Sequence, residues 1–450
     1  MRQNRLPYFS NLLLVPIAVG LGQPAPAGAE IQGLTVLGAK DIGPFRGKAY
    51  REVDARMEGS AAGGAYAVPV TIAFPKEAFD HNGFAIVDVV NTHTVGNEQW
   101  VLGGQPFPLA RFHMGDDFLF GTGNVYVGIM WDKKTVDMLG NGTIATPADG
   151  YTILRDAATL ARNPADHLSA DAGIAPASGK IGAYGFSQTG GLLRGWYFDH
   201  LNSQGGGQAF DGALIGGAGG ACYDLNTSEW KGCDGAVADG GKVISLLPET
   251  DVEWGGYAER GEHPDYRVIE IAGVSHIPAP AADFRGHGMP EQNPVGFGPV
   301  VRAALVNLQA WLNGTEPPPS IAIELSDATP RDFDGASVRS AARDADGNAQ
   351  GGVRLPHMPA VLEGGKKAGA PLGQYTGFAW DHEKSNFYFT ISGTFTPFPP
   401  EKLEALYPDH EAYVTAVAAA AEDLVAKRYI LPEDAEAYVD AANRSEIGQP

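Results

Sequence analysis

The sequence predicts an α/β fold in which a mostly parallel sheet is flanked by helices, and three observations predict it. Apolar runs without alternation recur at 84–90, 125–130, 181–186, 213–215, 243–247 and 266–271, as in strands buried on both faces. Helical patterns lie between them, and strands alternating with helices imply crossovers that cover both sides of a parallel sheet. The composition, 44% hydrophobic with 60 Gly and 32 Pro in 450 residues, is that of a globular chain able to bury such a core.

Taken in order, residues 1–29 read as a secretory signal peptide. Arg2 and Arg5 precede an apolar run from Leu12 to Gly22, and Ala27-Gly28-Ala29 offers a cleavage site before Glu30. That run is short of the ~20 residues of a bilayer span, and no second stretch is long enough to cross. The mature chain is therefore expected to be exported, periplasmic or extracellular, with no membrane span. Residues 50–56 alternate as an exposed strand does, and 66–74 are β-rich, so the sheet should open on an antiparallel entry. A helix is expected at 151–161, with Tyr151, Leu154, Ala158 and Ala161 on one face, stopped by Asn163-Pro164. A second opens at Ser187 and runs toward Asn202. A third, 300–312, turns Val301, Ala304, Leu305, Leu308 and Trp311 inward and ends at Asn313-Gly314. These elements define a core at 30–314. Past Gly314 come three prolines, a Gly- and Asp-rich stretch, a β-like segment at 386–391 and acidic helices at 413–426 and 432–443. Residues 315–450 read as an extension packed on the core, a lid, or a small appended domain.

The formal charge of −21 argues against nucleic acid, because phosphate backbones are gripped by clustered Lys and Arg. It favours neutral or cationic substrates over polyanions. The sequence has no HExxH, CxxC or His-x-His, so neither a transition-metal site nor a cofactor is expected.

The most informative stretch is Gly185-Phe186-Ser187-Gln188-Thr189-Gly190-Gly191, where an apolar strand runs into a serine and then a helix. A nucleophile needs such a turn to hold its Oγ clear of the sheet, and the small neighbours let the turn close. The Gln188 N–H then points to an oxyanion at the helix N-terminus. Two other Gly-x-Ser triplets end at Ser275 and Ser337, but neither stands between a strand and a helix. The competing reading of Ser187 is an N-cap serine. In this architecture the acid and the histidine follow the serine at later strand ends. His276, in the loop after the strand 266–271, is the best base among seven downstream histidines. The acid should follow 243–247, where Glu249 and Asp251 compete; Asp251 lies at the usual offset, and the other is expected to be structural. A second oxyanion donor should be a backbone N–H of Thr92 or His93, after the strand 84–90. Cys222 and Cys233, close together in an exported chain, read as a local disulfide. They follow the Gly216 to Gly220 turn and are expected to wall the substrate pocket.

With these residues in view, the sequence resembles the α/β-hydrolase superfamily, and within it the large exported bacterial α/β-hydrolase-domain proteins. The likeness rests on Ala85-Ile-Val-Asp-Val-Val-Asn91, the Gly-Phe-Ser-Gln-Thr-Gly turn, Glu249-Thr-Asp-Val252, Glu270-Ile-Ala-Gly-Val-Ser-His276, Asp344-Ala-Asp-Gly-Asn348 and Gly351-Gly-Val-Arg-Leu-Pro356. It implies an α/β-hydrolase fold, a triad of Ser187, His276 and Asp251, and ester chemistry on a small molecule without a cofactor. Thr189 departs from the glycine that many hydrolases place two residues after the nucleophile. An acyltransferase, a peptidase and a catalytically silent binding module are the alternatives. Water exclusion separates the first from hydrolysis, and the presence of three triad candidates disfavours the last. The sequence assigns no oligomeric state.

Overall fold

The computed structural model describes residues 31–92, 94–95, 98–99, 106–205, 207–261, 263–277, 291–333, 336–362, 367–379 and 390–449. The signal peptide expected at 1–29, and His93, lie outside them. The chain divides into two compact units: 1–243 with 263–265 and 331–338, and 244–262 with 266–330 and 339–450.

The first unit begins with a meander of β1 (Ile31–Phe45), β2 (Lys48–Ala61) and β3 (Gly64–Pro75). Alternation in β2 buries Val53, Ala55 and Met57 and leaves Asp54 exposed, because one face packs and the other does not. There follow β4 (Phe84–Val89), the two-residue strands β5 (Thr94–Val95) and β6 (Glu98–Gln99), β7 (Val125–Ile129), β8 (Lys180–Phe186) and β9 (Gly212–Gly216). In the sheet they run β1-β2-β3-β7-β4-β8-β9. Pairing is antiparallel from β1 to β7 and parallel from β7 through β4 and β8 to β9. Every residue of β4, β7 and β9 is buried, which is why these runs lack alternation. The helices are α1 (Leu109–Met114), α2 (Asp116–Gly121), α3 (Lys133–Leu139), α4 (Asp149–Arg162) and α5 (Gln188–Phe198). Helix α4 lays Ile153, Leu154, Ala157, Leu160 and Ala161 against β4 and β7. A hairpin of β10 (Ala221–Asp224) and β11 (Glu229–Gly232) packs on α5.

The second unit holds most of β12 (Lys242–Pro248) and all of β13 (Tyr266–Ile271), neighbours in the sheet. Its helices are α6 (Glu249–Glu253), α7 (Gly298–Leu312), α8 (Pro400–Leu406), α9 (His410–Ala426) and α10 (Pro432–Asn443). Ile321 and Val353 bridge in parallel to Ile269 and Ile271, so residues past 314 continue the β-structure beside β13. Tyr407, Tyr413, Val417 and Ala442 form a small core under the acidic helices. Arg302 on α7 pairs with Asp434 on α10 at 3.1 Å, and the Asn307 side chain donates to the Arg428 carbonyl at 2.9 Å.

Two expectations change. The helix that opens after Ser187 stops at Phe198 rather than near Asn202, as His200 takes a φ of 56°. Residues 386–389 of the expected segment 386–391 lie outside the described residues, and Thr390 and Ile391 are not in a strand. Glu249 and Asp251 follow β12 as expected, in the one-turn helix α6.

Candidate functional site

In the first unit, β8 delivers the chain to Ser187 and α5 carries it away. Ser187 has φ 59° and ψ −121°, a conformation that L-residues adopt at a cost of order 1–3 kcal/mol. Packing holds it there. A Cβ on Gly185 would strike the Thr189 carbonyl, and one on Gly190 would strike the Gly216 carbonyl, so neither position admits a side chain. The Ser187 N–H donates to the Gly216 carbonyl at 3.0 Å. Thr189, fully buried, accepts from the Phe186 N–H at 3.0 Å and donates to the Phe186 carbonyl at 3.1 Å. Its hydroxyl thus fastens the turn from inside, which places this departure from glycine in the scaffold. The Ser187 side chain makes no cap bond to α5, so the N-cap reading loses its basis.

The two residues expected to donate to an oxyanion are brought together: the Thr92 hydroxyl donates to the Gln188 side-chain carbonyl at 3.4 Å. Beside them the Asn91 side chain donates to the Phe186 carbonyl at 3.1 Å. Below lies a buried polar group. Asp88 on β4 accepts from the Tyr126 hydroxyl at 3.0 Å and the Ala110 N–H at 3.1 Å. Burial pushes its carboxyl up to about 7, against the pull of these bonds and of Arg111.

The hairpin after β9 carries the Cys222–Cys233 disulfide, with Cα atoms 5.9 Å apart. Both cysteines are buried. The Arg194 guanidinium on α5 donates to the Cys233 carbonyl, and the Trp230 ring fills the space a Cβ on Gly191 would need. The bridge therefore braces a hairpin seated on the helix that follows Ser187.

In the second unit, both carboxylate oxygens of Asp251 lie 3.0 Å from His276 Nδ1. Asp251 is 1% exposed and His276 8%, so the pair is shielded from water. Glu249 binds elsewhere. It accepts from the Gly273 N–H at 2.7 Å and the Gly377 N–H at 2.9 Å, and pairs with Arg343 at 2.6 Å. Of the two acids, only Asp251 touches the imidazole. Glu253, one turn on, accepts from the Ala341 N–H at 2.6 Å and from Arg343 at 3.0 Å. Burial raises its carboxyl to about 7 while Arg343 opposes the rise. Among the other downstream histidines, His357 is half-buried, and desolvation lowers its pKa to about 3. His287 and His382 lie outside the described residues.

Sequence reasoning missed the side chains that fasten these turns: Asn91, Thr250 and Arg343. Only Thr189 carried a signal, as the departure from glycine. Among the described residues there is no group of three or more His, Cys, Asp or Glu that could hold a metal ion, and no helix long and apolar enough to cross a membrane.

A family profile described as an alpha/beta hydrolase domain matches residues 48–440. No curated protein sequence matches the chain. Among solved structures, a protein described as a dienelactone hydrolase from Klebsiella pneumoniae subsp. pneumoniae MGH 78578 is 15% identical, with a TM-score of 0.32 over 55% of this chain and 94% of its own. LipA, a rice cell wall degrading esterase from Xanthomonas oryzae, is 16% identical with a TM-score of 0.27, over 40% of this chain and 49% of its own. A promiscuous CE15 esterase from the marine bacterial metagenome is 12% identical with a TM-score of 0.25, over 50% of this chain and 71% of its own. The chain thus spans about half the length of LipA.

Proposed function

We propose, for a chain that belongs to the alpha/beta hydrolase domain family, that it is an exported serine hydrolase of small carboxylic esters. The observation that carries the proposal is the backbone of Ser187, a serine held at positive φ between a buried strand and a helix. A strained residue persists where its surroundings over-determine it, and such strain clusters at active sites.

Ser187 attacks the ester carbonyl and gives its proton to Nε2 of His276. Asp251, bonded to Nδ1, fixes the tautomer and stabilises the imidazolium that forms. The tetrahedral oxyanion takes hydrogen bonds from the backbone N–H groups of Gln188 and Thr92, donors worth several kcal/mol in a dry site. Collapse expels the alcohol, protonated by His276, and leaves an acyl-enzyme on Ser187. A water deprotonated by His276 then releases the acid. No cofactor enters this scheme. The net charge of −21 favours uncharged esters over polyanions. Export is supported by the Cys222–Cys233 disulfide, which an oxidising compartment preserves.

The test is hydrolysis of p-nitrophenyl esters from C2 to C12 by the exported protein and by Ser187→Ala. The proposal expects turnover of at least the short esters, and a loss of ~10³-fold or more in the variant at unchanged melting temperature. A variant that keeps most of its rate would overturn it.

A further inference from the structure

We propose that Thr250 and Gly377 are positioning residues that hold His276 at the angle its chemistry needs, so that the C-terminal segment around Gly377 is part of the catalytic framework. The inference rests on His276 acting as the base, as proposed above.

Three consecutive residues of α6 do three different things. Asp251 binds the His276 ring. Thr250, between the two acids and fully buried, accepts from the backbone N–H of His276 at 3.0 Å and donates to the Gly377 carbonyl at 2.6 Å. Glu249 accepts from the N–H of Gly377 and from that of Gly273, which opens the loop carrying His276. Both polar atoms of the Gly377 backbone are therefore engaged by neighbouring side chains of one helical turn. Asn293 closes the circuit by donating to the carbonyls of Gly273 and Thr376, at 3.1 and 3.0 Å.

The chemistry of the hydroxyl explains the arrangement. A threonine Oγ1 has one proton to give and lone pairs to accept with. Once its proton goes to Gly377, the oxygen is oriented to receive the His276 N–H. The backbone of the base is thereby fixed by one group and its ring by the next. Residue 377 must be glycine, because a Cβ there would come within 2.5 Å of the Thr250 nitrogen. Arg343 keeps the helical turn in place by pairing with Glu249 and Glu253, which flank Thr250 and Asp251. A general base displaced by about 1 Å can lose on the order of 10²-fold in rate, whereas ester binding is little affected.

The experiment compares the full-length exported protein with Thr250→Val, Thr250→Ser and Gly377→Ala. Readouts are kcat and KM for p-nitrophenyl acetate, the pH profile of kcat/KM, the rate of Ser187 labelling by a fluorophosphonate, and melting temperature. Thr250→Val should lose 10-fold or more in kcat and in labelling rate with KM within about 3-fold, and should move the acidic limb of the pH profile. Thr250→Ser should restore both. Gly377→Ala should repeat the Thr250→Val pattern, and it stands in for that variant should Thr250→Val not fold. Wild-type kcat and pH profile in folded Thr250→Val, or in folded Gly377→Ala, would overturn the inference, as would collapse of all three variants including Thr250→Ser. Absence of hydrolysis and labelling in the wild type would instead overturn the proposed function.

Discussion

Replacing Asp88 by asparagine should remove a loss of stability that the first unit suffers as pH rises. The carboxyl is fully buried on β4, and its Oδ1 has no hydrogen-bond partner among the described residues. Burial raises its pKa from 3.8 to about 7. Folded protein therefore keeps a proton that the unfolded chain has already released. For a raised pKa the contribution to stability is fully present below the unfolded value of about 4 and is lost as pH climbs through about 7. At 1.36 kcal/mol per pH unit the whole loss is about 4 kcal/mol, of which about 2 kcal/mol falls between pH 5 and 7. Asn carries no such term. Its amide nitrogen would stand where Oδ1 lacks a partner, at a roughly constant cost of about 1–2 kcal/mol. The two stability curves should therefore cross. Asp88→Asn should be the weaker protein near pH 4.5 and the stronger one near pH 8. Urea unfolding followed by the fluorescence of Trp131 and Trp196, both buried in this unit, measures the difference at each pH. Parallel curves from pH 5 to 8 would refute the reasoning, because they would mean that Asp88 is ionised in the folded protein throughout.

Other outcomes follow from the same contacts. Asp251→Asn should cut kcat by ~10³-fold or more and barely change the melting temperature, since it spoils the tautomer of His276. Glu249→Gln should cost far less in kcat and instead lower stability by about 2–4 kcal/mol, because Arg343 would lose a buried counter-charge; kinetics and calorimetry on the pair check both, and a larger kcat loss in Glu249→Gln would exchange the roles of the acids. The Cys222→Ser, Cys233→Ser double variant should lose about 3 kcal/mol, the loop-closure value for a bridge spanning 11 residues, and keep its chemistry. Thiol titration of the denatured, unreduced wild type should find no free thiol, and two free thiols would remove the premise.

The strands near Ser187 were legible because a strand buried on both faces has to be apolar along its length, and 84–90, 125–130, 181–186 and 213–215 differ from β4, β7, β8 and β9 by at most two residues at an end. β1 was not. Ile31–Phe45 is an edge strand, largely exposed and interrupted by register shifts at Gly33 and Gly38, so neither an apolar run nor clean alternation marks it. The hairpin around the disulfide escaped for a similar reason, since four-residue strands give no periodicity. At the site, residue types and spacing were enough to propose Ser187, His276 and the competing pair Glu249 and Asp251. The contrast between those acids is one of long-range contacts. Glu249 is bound to groups 24 to 128 residues away, Gly273 and Gly377 among them, and within Glu249-Thr250-Asp251 only the offset past the strand favoured Asp251 as the partner of the His276 ring. Thr250 and Arg343 were invisible on the same ground, because a fastening role is defined by what the fold brings to the side chain.

The central claim is that Ser187 is an activated nucleophile whose base is His276, and covalent labelling tests it most directly. A fluorophosphonate incubated with the intact protein, followed by proteolysis and peptide mass mapping, should place one adduct on Ser187. His276→Ala should slow the labelling by ~10²-fold or more, since an unassisted serine hydroxyl is a weak nucleophile. An adduct on any other residue, or equal labelling rates in wild type and His276→Ala, would contradict the account.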